Sequence, residues 1–409
     1  MALMSVADLQ QLISTRIGEK MTLPETETAA VAQAAGRVLA ADILSPIHVP
    51  EADVSAMDGY ALPCAASCGD TFEIVGESAA GQPFSDGLAA GQCVRIMTGA
   101  VVPGGCAAVV MQENAALGAD GRLRVLQDTP AACNIRFAGE EIRSGMTVLH
   151  KGRILRHADV MLLAALGLGR VPVYRRLRVA VLSTGNELTE AGEPLAAPGR
   201  IYDSNRPMLM SRLRDFPVET VDLKCVRDNL DDVIRVLDEA AQNHDVVMTS
   251  GGVSVGDYDY MREAVLRLGA IHHYKVAMKP GKPFVFGQMF RTWYFGLPGN
   301  PVSGFAGFDV FVKAALWQLC GACDIPQPLR FQAALTAPVA KSAGRLEMQR
   351  AVIARQADGS WTAAPCGAQD SHRILGASRA NAYMILPPQA VSLNIGDQVE
   401  VQPFGSSFL

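Results

Sequence analysis

The sequence has no excess of positive charge, no apolar run of membrane-spanning length and no regular cysteine framework, and each absence removes a class of function. Its 36 Lys and Arg are set against 41 Asp and Glu in 409 residues, a formal net charge of −5. A general nucleic-acid binder is therefore not expected, and any basic site must be local. The longest apolar run, Val160-Met-Leu-Leu-Ala-Ala-Leu-Gly-Leu-Gly169, is about half a bilayer span and reads as a buried helix, so no membrane partner is expected. The first residues, Met1-Ala-Leu-Met-Ser-Val-Ala-Asp-Leu9, contain neither a basic n-region nor a cleavage site, and a cytoplasmic location is expected. The cysteines number 9, an odd count scattered along the chain, which fits free thiols in a reducing compartment. Cys320-Gly-Ala-Cys323 is the one C-x-x-C and has no second pair near it, so neither it nor Cys64 and Cys68 is read as a metal or redox site.

What remains is an ordinary globular composition, 49% hydrophobic and 19% charged, in a chain too long for one core. Ser5-Val-Ala-Asp8 opens a helix with Val6, Leu9, Leu12 and Ile13 on one face. A second helix is predicted over Glu27 to Ala35, stopped by Gly36. These elements, with residues 137–176 and the apolar helix 157–167, read as an elongated helical arm (1–50 and 137–176). From 51 to 136 short apolar runs alternate with Gly, Pro, Asp and Asn, the pattern of an inserted all-β domain. From 177 to 326 strands and helices alternate: Arg178 to Thr184, a helix ending at Arg214, Glu219 to Val226, a helix 230–242 capped by Asn229, then 245–249. This predicts a doubly wound α/β domain closed by a long helix 301–319. After Pro326 and Pro328 the strand pattern returns, and 327–409 reads as a small C-terminal β-barrel.

The chemistry concentrates between 245 and 303. Gly251-Gly-Val-Ser-Val-Gly-Asp-Tyr-Asp-Tyr260, Lys279-Pro-Gly-Lys-Pro283 and Leu297-Pro-Gly-Asn-Pro301 each follow a short β-branched or aromatic run. That is how ligand-binding loops at the carboxyl ends of α/β strands are written. Gly251 and Gly252 let backbone N–H groups approach an anion, and the helix Met261 to Leu268 would point its positive end at it. Asp257 and Asp259 share that loop, and Lys275, Lys279 and Lys282 follow; carboxylates beside lysines and bare amides suit a phosphate ester with a divalent cation. Each corner also has an ordinary reading. Asn300-Pro301 is an N-cap followed by Pro at the first helical position, and Asp58-Gly59 is a good turn pair.

Seven motifs in order carry a resemblance over nearly the whole chain: Ser55-Ala-Met-Asp-Gly-Tyr-Ala61, Arg95-Ile-Met-Thr-Gly-Ala100, Ser183-Thr-Gly-Asn-Glu-Leu188, Ile201-Tyr-Asp-Ser-Asn205, Ser250 through Tyr260, Lys279 through Pro283 and Gly296-Leu-Pro-Gly-Asn-Pro-Val-Ser303. Together they resemble the molybdopterin molybdenumtransferases, the bacterial MoeA proteins, which are similar to the enzymatic domain of gephyrin. The resemblance implies a homodimer of four-domain subunits that converts adenylylated molybdopterin and molybdate to molybdenum cofactor and AMP with Mg²⁺. Molybdopterin adenylyltransferase and downstream molybdoenzyme maturation proteins are its implied partners. Carried over by position, Glu187, Asp228 and Asp259 form the acidic, cation-side group. Ser254, Lys275, Lys279 and Lys282, with Gly251 and Gly252, form the phosphate and molybdate side. Asn300, Pro301 and Ser303 shape the adjoining wall, Arg345 and Ser371 close over the oxyanion, and Asp58, Thr98 and Glu141 resemble cleft residues that reach the partner subunit's site. Where the family has Gly-Glu-Asp this chain has Gly139-Glu-Glu141, an acid one methylene longer. Two rivals share parts of this reading: an adenylyltransferase of the same α/β class, which would make the nucleotide adduct, and a non-catalytic scaffold.

Overall fold

The computed structural model describes residues 3–252 and 260–405. The chain divides into two compact units, one of residues 41–151 and 157–169, the other of residues 1–40, 152–156 and 170–409.

The larger unit is built on a six-stranded sheet in the order Val218–Val226, Leu177–Thr184, Val246–Ser250, Thr292–Leu297, Pro283–Met289, Gly269–Lys275. The first four are parallel, and Pro283–Met289 runs antiparallel to both of its neighbours, Thr292–Leu297 and Gly269–Lys275, so the expected doubly wound sheet is extended on one side by antiparallel pairings. Parallel strands covered on both faces read as continuous apolar runs, and Val246–Ser250 is buried at every position. One face packs against the helices Val6–Lys20 and Asn205–Leu213 and the long helical stretch 301–319; the other takes Leu230–Asn243 and Tyr260–Leu268. Asn229 caps Leu230–Asn243 as the sequence predicts, its side chain accepting from the N–H groups of Asp231 and Asp232.

The C-terminal barrel is closed: Leu346–Arg355 pairs with Trp361–Pro365, then Phe331–Leu335, Gln398–Pro403 and Ala382–Leu386, which returns to Leu346–Arg355. Closure leaves no free edge among these five strands. The two-residue strand Met278–Lys279, which comes from the α/β segment, adds to the barrel in parallel with Leu346 and Glu347. The smaller unit contains the β insertion, a six-stranded sheet in the order Ala108–Met111, Gly59–Leu62, Gln92–Ile96, Thr71–Ser78, Leu123–Val125, Ala115–Leu117.

One predicted element is overturned. Residues 27–35 form no α-helix: Thr26–Ala30 is a strand, antiparallel to Arg170–Tyr174, followed by a short 3₁₀ turn Val31–Gln33. The alanine-rich run has high helix propensity, but a helix this short is marginal alone, and pairing with an available strand outweighs it.

Candidate active site

The glycine-rich corners gather at the carboxyl ends of the parallel strands. Leu177–Thr184 runs into Gly185-Asn-Glu187, Val218–Val226 into Asp228, Val246–Ser250 into Gly251, and Thr292–Leu297 into Pro298-Gly-Asn300. Asn186 and Asp228 hold each other: Asn186 N–H donates to Asp228 Oδ2 at 3.2 Å, and Asp228 N–H donates to Asn186 Oδ1 at 3.3 Å. The Glu187 carboxylate lies over Gly185, where an added Cβ would come within 2.6 Å of Oε2. Arg200 fixes this turn by donating to Asn186 O at 2.6 Å, to Leu188 O and to Thr189 Oγ1 at 3.1 Å, while Ile201 N–H donates to Glu187 O at 2.9 Å. The turn bearing Glu187 thus has three successive carbonyls engaged.

Gly251 and Gly252 have left-handed backbones, φ 88° and 66°. A Cβ at 251 would sit 2.5 Å from Thr184 O, and one at 252 would sit 2.4 Å from Met261 Cγ and 2.9 Å from Thr184 Oγ1. Only glycine fits both positions. The Thr184 hydroxyl beneath them is buried and has no hydrogen-bond partner among the described residues. Asn205, buried, clasps two of the corners together: its Nδ2 donates to Ser250 Oγ and to Gly299 O, each at 2.7 Å. Ser254, Asp257 and Asp259 lie outside the described residues.

A cavity of about 460 Å³ opens beside these corners. Its floor is the loop Lys279-Pro-Gly-Lys-Pro283, its flank Asn300 and Ser303, and its remaining wall Arg345 with the segment Gln369-Asp-Ser-His372. Pro301 starts the helix Pro301–Gly307 behind that flank, and Val302 N–H donates to Ser371 O at 3.1 Å, joining helix start and wall. Lys279 Nζ donates to Glu347 Oε1 at 3.2 Å. Lys282 and Arg345 have no carboxylate partner among the described residues, while Asp370 is paired with Arg373 at 2.9 Å. The lining is therefore locally basic in a chain that is acidic overall, as an anion site requires. Lys275 does not line the cavity. It ends the edge strand opposite Pro283, with its ammonium 5.5 Å from the centre of the Tyr274 ring.

Asp58, Thr98 and Glu141 belong to the smaller unit. Asp58 and Thr98 are brought together: Thr98 donates its N–H at 2.7 Å and its hydroxyl at 2.8 Å to Asp58 Oδ1. The backbone donor, then the hydroxyl, hold the exposed Asp58 carboxyl below its usual range. Glu141 is exposed, and its N–H donates to Val49 O at 3.1 Å.

Several supporting residues escape a reading of motifs. Arg350 is 1% exposed, and its guanidinium donates to Ala368 O at 2.6 Å, Arg373 O at 2.9 Å and Asp370 O at 3.3 Å, bracketing Ser371. Burial, with no carboxylate among the described residues hydrogen-bonded to it, pushes its pKa down. Gln369 accepts from Arg350 N–H at 2.8 Å and donates to Arg350 O at 3.1 Å. Behind the first corner, buried Arg206 meets Asp203, Asp222 and Glu190. Burial opposes its charge, but the bonds to Glu190, Asp222 and Asp203 raise its pKa on balance.

Comparison with known proteins accounts for this arrangement over the whole length. Residues 4–167 match the MoeA N-terminal region (domain I and II), residues 180–318 a probable molybdopterin binding domain, and residues 332–404 the MoeA C-terminal region (domain IV). The chain is 38% identical over 388 residues to a molybdopterin molybdenumtransferase of Haemophilus influenzae, covering 94% of this chain and 96% of the relative. It is 36% identical over 401 residues to molybdopterin molybdenumtransferase 2 of Mycobacterium tuberculosis, with the same coverages, 94% and 96%. The crystal structure of a molybdopterin biosynthesis MoeA protein from Pyrococcus horikoshii superposes with a TM-score of 0.83 at 27% identity, covering 98% of this chain and 100% of that one. The chain belongs to the MoeA family of molybdopterin molybdenumtransferases.

Proposed function

We propose that the chain inserts molybdate into adenylylated molybdopterin with release of AMP, in a Mg²⁺-dependent reaction that completes molybdenum cofactor synthesis. The observation that carries this reading is the basic cavity, in which Lys282 and Arg345 stand without a carboxylate partner among the described residues. A doubly charged oxyanion such as molybdate balances those two charges, and each charge-assisted hydrogen bond to it is worth roughly 1.5–3 kcal/mol. Ser303 and Ser371 supply hydroxyls at the same cavity. The glycines at 251 and 252 leave the strand ends bare enough for phosphate oxygens to approach the backbone.

The donor chemistry at the neighbouring corner suits Mg²⁺. Glu187 and Asp228 are hard oxygen donors at neighbouring strand ends, and the buried Thr184 hydroxyl has no hydrogen-bond partner among the described residues. Mg²⁺ takes oxygen donors, binds through one or two carboxylates and keeps several waters, so the donor type suits it. Glu187 and Asp228 would hold the ion, with Asp259 of the adjoining loop as the further ligand. The bound ion supplies neutralisation of phosphate charge as the phosphoanhydride is broken. Lys282 and Arg345, with Lys279 beside them paired to Glu347, act as fixed positive charges on the anions and not as acids or bases.

The same reading gives the working protein four domains (1–50 with 137–176, 51–136, 177–326, 327–409) and a homodimeric, cytoplasmic state. Asp58, Thr98 and Glu141 then serve the partner subunit's site, the adduct comes from molybdopterin adenylyltransferase, and the product passes to molybdoenzyme maturation proteins. Among the described residues no helix is long and apolar enough to cross a membrane. The test is incubation with adenylylated molybdopterin, Mg²⁺ and molybdate while AMP release and cofactor formation are followed. ATP turnover with molybdopterin in place of this reaction marks an adenylyltransferase, and no nucleotide chemistry at all marks a scaffold.

A further inference from the structure

Glu347 is a buried carboxylate to which the proposed reaction gives no task. Its side chain is 3% exposed and stands opposite Lys279 in the register that joins Met278–Lys279 to the barrel. Glu347 Oε1 accepts from Lys279 Nζ at 3.2 Å, and Oε2 accepts from Gln349 Nε2 at 3.0 Å. Gln349 is buried too, whereas the Lys279 side chain is 46% exposed and lines the cavity. A carboxylate removed from water without a cation is strongly unfavourable, so Lys279 is what permits Glu347 to be there. The converse bears on the site: the charge of Lys279 is already balanced from behind. Asp370 is balanced by Arg373, and Arg350 turns its guanidinium to main-chain carbonyls.

We propose that Glu347 is a specificity-determining residue, lowering by one the positive charge that the cavity presents so that a tetrahedral oxyanion meets the two cations left unbalanced among the described residues, Lys282 and Arg345, and a dianion is matched. The proposal rests on the reading of this cavity as the molybdate site. Glu347 touches no substrate and moves no proton; it acts through the field at the cavity. The energy of an ion in that field is proportional to the ion's charge. Removing the carboxylate must therefore change the affinity for a dianion by the square of the factor for a monoanion of the same shape.

Molybdate and perrhenate, tetrahedral anions carrying two charges and one, are the probes, each titrated alone by calorimetry into the full chain at fixed ionic strength. Glu347→Gln is expected to tighten molybdate about tenfold and perrhenate about threefold, in keeping with that proportionality. Glu347→Asp keeps the charge and is expected to stay within about twofold of the parent for both anions. Should the amide variant fold poorly, Glu347→Met removes the same charge and must give the same squared relation. Weaker binding of both anions, or an equal factor for the two, overturns the proposal and leaves Glu347 as a packing residue. Lys282→Ala in the otherwise unchanged chain separates the two ideas. If it leaves molybdate binding as it was, the cavity reading itself fails; if it weakens molybdate, the dianion-to-monoanion relation alone decides the role of Glu347.

Discussion

Replacing Arg350 by methionine isolates what holds the cavity wall. The substitution keeps much of the side-chain volume but removes the donors to Ala368 O, Asp370 O and Arg373 O. A buried polar group left unsatisfied costs about 1–3 kcal/mol, so the gross loss is roughly 3–9 kcal/mol. Two effects reduce it. Residues 368, 370 and 373 are exposed, so water reaches the freed carbonyls; and the guanidinium is itself destabilised by burial, so its removal relieves an unfavourable charge. A net loss of about 2–4 kcal/mol remains. The assay pairs denaturant unfolding with amide hydrogen exchange at Val302, whose N–H donates to Ser371 O. If Arg350 holds the wall, Val302 loses protection beyond what the global loss accounts for, and the molybdate concentration needed for half-maximal turnover rises. Global destabilisation with Val302 protected in proportion to it, and an unchanged molybdate response, would refute the reasoning and make Arg350 an ordinary core residue.

Four further outcomes follow from the same geometry. Lys282→Ala should raise the molybdate requirement by about 10- to 150-fold, the equivalent of roughly 1.5–3 kcal/mol, with the Mg²⁺ dependence unmoved. Thr98→Val removes one of two donors to Asp58, so NMR titration should find the Asp58 carboxyl shifted upward but still below its ordinary value, because the Thr98 N–H remains. Arg206→Met leaves the 4%-exposed Asp203 without its cation and should destabilise the fold by about 3–5 kcal/mol in denaturant unfolding. It should also flatten the acid side of the stability profile. Burial pushes Asp222 up, but bonds from Lys224 and Arg206 outweigh it, so its folded pKa is depressed; the stability it adds is present above the unfolded value and lost as pH falls through the folded one. A dimer assembled from an Asp58→Ala subunit and an Asp259→Ala subunit should keep about half its turnover if each site draws on both chains, and none if it does not.

The fold was legible where sequence pattern and tertiary demand agree. The helix Leu230–Asn243 has its cap, its acidic first turn and its apolar face all in register, and it is found where predicted. The stretch 27–35 has only propensity, and a neighbouring strand decided its fate. At the site, glycine and proline corners show themselves because backbone demands select residue type, and Gly251, Gly252 and Lys282 stand where such corners should. Lys275 comes to the site only by position in the resemblance and by its charge, and neither says which way a side chain at a strand end faces. The supports were hidden because burial is not written in residue type: Glu347, Gln349 and Arg350 look like ordinary polar positions of a surface strand. The available signal was their crowding. In Leu346-Glu-Met-Gln-Arg350, alternation puts Glu347 and Gln349 on one side and Arg350 on the other. A strand polar on both sides within a barrel of this size has polar groups to satisfy inside.

The short strand Met278–Lys279 leads a double life, belonging by sequence to the α/β segment and by hydrogen bonding to the barrel. Lys282, only a few residues on, stays with the sheet unit, its carbonyl accepting from Val276 N–H at 3.0 Å. Lys279 is thus tied to Glu347 of the barrel while Lys282 is tied to the sheet, so the two cavity lysines are positioned by different layers of the fold. The cavity they line with Arg345 therefore spans the seam between sheet and barrel, and under the proposed reading an oxyanion held by Lys282 and Arg345 is a tie rod across that joint.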